Sequence, residues 1–152
     1  MLRRQVLSFS IGCWAAIATA VVHLAGHIAG PAAPVDEAGR QLAELATTYP
    51  ILLPGGTTRV LMDLYAGFSL TFVIFLAFIG GVGLMVKRRC SDDAAIMTAV
   101  ARAAGAAGVV MVVISLLYWF ILPSLMLAFM TFGFLLASVA PPVPEESAGT
   151  GH

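Results

Sequence analysis

The stretch 103-AAGAAGVVMVVISLLYWFILPSLMLAFMTFGFLLASVAPPVP-144 carries no Asp, Glu, Lys or Arg over 42 residues. As one helix it would be about 63 Å long at ~1.5 Å per residue, twice the ~30 Å hydrocarbon core of a bilayer. Folded back at Leu122-Pro123-Ser124 it supplies two spans. The charge-free run Gln5–Val35 and the run Val60–Val86, broken only by Asp63, supply two more. The sequence therefore predicts an all-α fold, a four-helix transmembrane bundle made of two antiparallel hairpins. The spans fall near residues 6–29, 60–86, 98–122 and 124–140, in a single membrane domain over 1–140. At 152 residues, 60% hydrophobic and 11% charged, the chain has no room for a second globular domain. Soluble domains carry roughly 25% charged residues.

Net charge is zero, so the placement of charge carries the information. Arg3-Arg4 precede the first span and Lys87-Arg88-Arg89 follow the second. The segment between these spans mixes signs, with Asp36, Glu37, Arg40, Glu44 and Arg59. The positive-inside rule then puts both termini and the 87–97 loop in the cytoplasm and the 30–59 segment on the other side. Arg102 sits near the inner interface, where it can snorkel. A basic patch this small is a topology signal and does not predict a nucleic-acid partner. The tail 141–152, rich in Pro, Gly and Ser with Glu145-Glu146, is expected to be disordered and cytoplasmic.

The start of the chain has the basic and apolar parts of a signal peptide, with small-x-small sites at Ala16-Ile17-Ala18 and Ala18-Thr19-Ala20. The apolar run continues to Ala29, long enough to stay as an anchor. Cys13 falls inside the first span and Cys90 in the cytoplasmic loop. With no Cys-x-x-Cys, a thiol oxidoreductase is not supported, and neither thiol is expected in a disulfide.

Between the first two spans, Gly30-Pro31 and Pro34 end one helix and residues 35–49 form a short amphipathic one. Ala38, Leu42, Leu45 and Tyr49 line one side, and Asp36 and Glu37 suit the positive end of its dipole. This extracytoplasmic helix lies on the membrane surface or caps the bundle. Pro50 and Pro54-Gly55-Gly56 turn the chain, with Thr57 or Thr58 as caps for the second span. Ser91-Asp92-Asp93 begins the third helix, whose run Ala103–Gly108 permits close backbone approach. Tyr118-Trp119 belong to an interfacial belt.

His23 and His27, four residues apart, share a helical face with Gly12, Ala16, Thr19, Ala20 and Gly30. Such a stripe of small residues suits a packed interface, so both imidazoles should point into the bundle. Asp63 is the one acid inside an apolar run, in phase with Gly67, Leu70, Thr71, Ile74 and Gly81 and level in depth with His27. His23, His27 and Asp63 are thus the candidate metal ligands, a minimal two-histidine, one-carboxylate set. The competing readings are an Arg59–Asp63 ion pair at i,i+4 and cross-helix hydrogen bonds from the histidines. A haem would need ligands on opposite faces of its ring, which one face of one helix does not offer without a dimer or a methionine such as Met62. Ser69 has no base near it in sequence and is expected to bond its own backbone. Walker, Gly-x-Ser-x-Gly and His-Glu-x-x-His patterns are absent. No cofactor is assigned.

Three stretches carry a resemblance: His23-Leu24-Ala25-Gly26-His27, then Arg40-Gln41-Leu42 with Tyr49, then Met62-Asp63-Leu64-Tyr65-Ala66-Gly67-Phe68-Ser69-Leu70. Across residues 10–86 the chain resembles a family of small bacterial four-span integral membrane proteins with no assigned function. The resemblance implies a bacterial inner-membrane location and a four-helix fold, and no activity. Two functional readings follow. One is an accessory or packing subunit, or a binding module for a small apolar ligand near the outer face, without catalysis. Its partners are the lipid bilayer and, through small-residue helix faces, another membrane protein or a second copy. The other is a metal-dependent or redox membrane enzyme built on His23, His27 and Asp63.

Overall fold

A computed structural model describes residues 2–118 and 121–139. The expected tail 141–152 and Trp119 lie outside the described residues. In chain order the elements are α1 (Leu2–Ala29), α2 (Glu37–Thr48), β1 (Ile51–Leu52), β2 (Thr58–Arg59), α3 (Leu61–Cys90), α4 (Ala94–Tyr118) and α5 (Ile121–Ser138). Four helices, α1, α3, α4 and α5, are long and apolar enough to cross a membrane. The fold is an all-α four-helix bundle with one short extra helix, as the charge-free runs predict.

The cap expected at Ser91-Asp92-Asp93 is present, and two other helix boundaries, the end of α3 and the start of α5, differ from the sequence reading. Asp93 caps α4, with its Oδ1 accepting from Ile96 N at 2.9 Å and its carbonyl from Met97 N at 3.1 Å. The α3–α4 connection is therefore only Ser91–Asp93, and Cys90 is the last residue of α3 rather than part of a longer loop. Lys87, Arg88 and Arg89 occupy the last turn of α3, where the negative end of the helix dipole favours them. The second difference concerns Pro123, which is the third residue of α5 and not the point of reversal. In a first helical turn the proline's missing N–H has no intrahelical acceptor to serve, so the ring is tolerated there. Ser115 and Ser124 tie α4 to α5 with a buried 2.8 Å hydrogen bond between their hydroxyls.

The chain divides into two compact units, one running to Thr19 and resuming at Leu76, the other Ala20–Phe75. In the first unit all four long helices pack, and contact between apolar side chains alone does not explain it. Lipid supplies no hydrophobic drive for helix association, so close approach and interhelical hydrogen bonds must hold the bundle. Glycines stand at the α1–α3 and α4–α5 contacts. Cys13 of α1 lies against Gly80 and Gly83 of α3: a Cβ at Gly80 would sit 2.7 Å from the Cys13 carbonyl oxygen, and one at Gly83 2.5 Å from Cys13 Sγ. Met97, Ala101, Gly105, Gly108 and Ser115 form the buried stripe of α4. A Cβ at Gly105 would meet Leu135 of α5 at 2.9 Å, and one at Gly108 would overlap the Thr131 hydroxyl. The Ala103–Gly108 run is therefore a packing site through its two glycines, while Ala103, Ala106 and Ala107 are exposed.

Gln5 closes this unit. Its amide nitrogen donates to Thr98 Oγ1 of α4 at 2.8 Å and to the Ala137 carbonyl of α5 at 3.3 Å. The side chain is 3% exposed. One amide thus links three helices, a role that nothing in the local pattern around Gln5 announces. Phe9 and Phe134 pack edge to face nearby, with ring centroids 5.5 Å apart.

The second unit holds α2 and a hairpin between the ends of α1 and α3. Gly30, at φ +74°, ends α1 in the left-handed conformation that suits a helix C-terminus. Asp36 caps α2 by accepting from Gly39 N at 2.7 Å, and Glu37 pairs with Arg40 on the exposed side. β1 and β2 pair antiparallel, with Ile51 opposite Arg59 and Leu52 opposite Thr58. The turn Leu53-Pro54-Gly55-Gly56 explains the hairpin. Proline at its second position, Gly55 at φ +90° at the third and a Gly56 N to Leu53 O bond of 3.1 Å make it type II. Thr57 and Thr58 belong to this hairpin and do not cap α3, which begins at Leu61.

Candidate functional site

The first candidate, His23, is half-buried on α1. Its Nε2 lies 3.1 Å from Ser69 Oγ of α3, and its ring meets Phe72 edge to face at 5.0 Å. Ser69, 6% exposed, therefore has an imidazole as its partner, a correction to the expectation that it bonds only its own backbone. The pairing was invisible in the sequence because the two residues are 46 positions apart. Chemically it is a cross-helix hydrogen bond that fixes the orientation of the His23 ring.

His27 follows one turn later, also half-buried, with its ring 6.5 Å from that of Tyr65. Its Nδ1 is shielded from solvent and has no hydrogen-bond partner among the described residues. Buried polar atoms are nearly always paired, and leaving one unmatched costs ~1–3 kcal/mol.

Asp63 behaves differently. It is exposed, and its Oδ2 accepts from the Val60 N–H at 3.5 Å while its own N–H donates to the Val60 carbonyl at 3.1 Å. That is the returning arm of a capping box at the start of α3. The stripe expected to carry it inward, Gly67, Leu70, Thr71, Ile74 and Gly81, is exposed throughout. The inward position on this part of α3 is Ser69. Six residues at about 100° each place Asp63 some 120° around the helix from it. The expected Arg59–Asp63 ion pair is also absent among the described residues, where Arg59 donates to the Thr58 carbonyl at 2.9 Å. Among the described residues no three His, Cys, Asp or Glu side chains gather into a metal-holding group. To join the histidines as a ligand, Asp63 would have to leave the helix terminus it caps.

The same unit carries an apolar groove of about 330 Å³. Leu42, Leu45 and Ala46 of α2, Tyr49, Ile51 of β1 and Leu61 of α3 line it. The sequence identified Leu42, Leu45 and Tyr49 as one face of a short helix. It did not show what that face looks onto, because Ile51 and Leu61 arrive through the unanticipated hairpin. Polar positions Glu37, Arg40 and Gln41 interact among themselves along the helix. α2 has no buried residue, and Leu42 and Tyr49 are each more than 60% exposed.

Comparison with protein-family models, with curated proteins and with solved structures finds no match.

Proposed function

We propose that this chain is a small multi-pass protein of a bacterial inner membrane that performs no catalysis and holds a small apolar ligand drawn from the bilayer. The observation that carries the reading is the groove of Leu42, Leu45, Ala46, Tyr49, Ile51 and Leu61, in which the Tyr49 hydroxyl is the one polar side-chain group. Its wall is continuous with a helix apolar enough to cross a membrane, so a ligand can enter from lipid without passing through water. The basic residues at Arg3-Arg4 and Lys87-Arg88-Arg89 support cytoplasmic termini, which puts the groove at the outer face. In this role the protein serves as an accessory subunit. Gly67 and Gly81, with open space where a Cβ would stand, leave a face of α3 for a partner helix or a second copy.

Photolabelling tests the reading. The native chain in nanodiscs is exposed to a diazirine-bearing hexadecane, and the labelled peptides are mapped. Label is expected on the groove residues and should be lost in Leu45→Asp, with helical content unchanged. Label spread evenly over exposed α3 and indifferent to Leu45→Asp overturns the proposal.

The rival reading is a metal-dependent or redox enzyme using His23, His27 and Asp63. Stoichiometric metal in the purified protein, lost in both His23→Ala and His27→Ala, would replace the proposal with that one.

A further inference from the structure

We infer that one end of the first unit binds the phosphodiester headgroup of an anionic phospholipid. In the sequence the basic residues outside the 30–59 segment fall in three separate places, and the fold gathers them. The Gln5 amide nitrogen donates to the Ala94 carbonyl at 3.5 Å and to Thr98 Oγ1 at 2.8 Å, which seats the start of α1 beside the start of α4, just past the end of α3. Cys13 lies against Gly80 and Gly83, so counting outward along the two antiparallel helices puts Arg4 and Arg88 within about one helical turn of each other in height. Arg102 stands one turn beyond Thr98 on α4.

Arg3, Arg4, Lys87, Arg88, Arg89 and Arg102 thus share this end with Asp92 and Asp93, whose carboxylates are engaged locally. Asp93 Oδ1 caps α4, and Asp92 Oδ1 accepts from Ser91 Oγ at 3.5 Å. None of the six cations has an ion pair among the described residues, where the one ion pair is Arg40–Glu37 of the second unit. The tail 141–152 carries only Glu145 and Glu146, too few to match them. Arg102 immediately precedes the long charge-free run, so its guanidinium stands where the hydrocarbon begins and an unmatched cation is costly.

A second feature points to a lipid as the source of the phosphate. Arg4, Leu7, Ile11 and Trp14 follow one another at i, i+3, i+7 and i+10 along α1, and Arg88, Met85, Gly81 and Phe78 repeat that spacing in reverse along α3. All eight are exposed. From Arg4 to Trp14 is about 15 Å of rise, half the hydrocarbon thickness. A cation above an apolar stripe one leaflet deep matches an anionic head with its acyl chain, whereas a soluble phosphate ester would meet the cations alone. The groove belongs to the second unit and plays no part in this site.

Native mass spectrometry of the full chain in detergent tests the inference, with phosphatidylglycerol and phosphatidylcholine of identical acyl chains as probes. Phosphatidylglycerol is expected to bind about fivefold more tightly or better, the increment of a single cation near an anionic surface. The preference should fall several-fold when Arg3→Gln, Arg4→Gln, Arg88→Gln and Arg89→Gln are combined, and should persist in Arg40→Gln with Arg59→Gln. Excess glycerol 3-phosphate should not displace the lipid. Equal binding of the two lipids by the native chain overturns the inference, and that comparison decides alone should the fourfold variant fail to fold. A preference lost equally in both variants overturns the placement at this end. Displacement by glycerol 3-phosphate makes this a site for soluble phosphate esters and overturns the lipid assignment.

Discussion

Gly133 of α5 rests directly on the backbone of Gly12 of α1: a Cβ added to Gly133 would lie 2.7 Å from the Gly12 nitrogen and 2.9 Å from its Cα. Both obstacles are main chain, which no rotamer change can move aside. Gly12 meets a softer neighbour, since its own added Cβ would stand 3.1 Å from the Phe134 ring. The two positions should therefore respond unequally. Gly133→Ala is expected to cost about 1–3 kcal/mol, as overpacking does, and Gly12→Ala less. Gly67→Ala and Gly81→Ala, where nothing lies within 4 Å, should be neutral or stabilising through helix propensity. Thermal unfolding of the four variants in one detergent gives the order, and equal melting temperatures for Gly133→Ala and Gly81→Ala would contradict it.

The α4–α5 contact makes a second expectation. Gly105→Leu and Gly108→Leu should each lower the melting temperature markedly, because Leu135 and Thr131 fill the space. Val110→Leu, on the exposed side of the same helix, should change little. Unchanged melting in both glycine variants would mean that this face looks at lipid.

Gln5 offers a test of hydrogen bonding within the bundle. Gln5→Leu keeps the volume and removes the donors to Thr98 and Ala137, so the expected loss is ~0.6–2 kcal/mol. Gln5→Ala adds a cavity and should cost more. Unfolding in sodium dodecyl sulfate mixtures measures both, and a Gln5→Leu chain as stable as the native one would make the amide dispensable.

Topology follows from charge and can be read with membrane-impermeant thiol reagents. Cys90, next to Lys87-Arg88-Arg89 at the end of α3, is expected to resist labelling in intact cells. A cysteine introduced at Ala38, on α2, is expected to react. The reverse pattern would invert the protein in the membrane.

Much of the fold was legible because burial in lipid writes itself into composition. Runs without charge gave the number of spans, and small residues on one side of α1 and α4 gave their packed faces. The reversal between α4 and α5 was displaced because Pro123 reads as a helix breaker, although a first turn accepts it. The site was less legible for a different reason. Helical phase can say which residues share a face, but it cannot say which face a neighbour covers. His23 found Ser69 across 46 positions, whereas Asp63, equally suggestive by its isolation in an apolar run, was drawn to the unpaired N–H groups at its own helix terminus. Gly133 was missed because it stands between the bulky Phe132 and Phe134 in sequence, and its one small neighbour on the same face, Ala137 at i+4, makes too short a stripe to stand out.

Helix length adds a constraint on the surroundings. α5 has 18 residues, about 27 Å of rise, whereas α3 has 30 and about 45 Å. A hydrocarbon layer near 27–30 Å suits α5, and a layer several ångströms thicker would leave its ends stretched against the acyl chains. Because Thr131 and Leu135 of α5 are in register with Gly108 and Gly105 of α4, α5 cannot slide to relieve that mismatch without leaving its partner. Acyl-chain length is therefore expected to act on this protein as a selective condition, favouring thin bilayers over thick ones through the shortest of the four long apolar helices among the described residues.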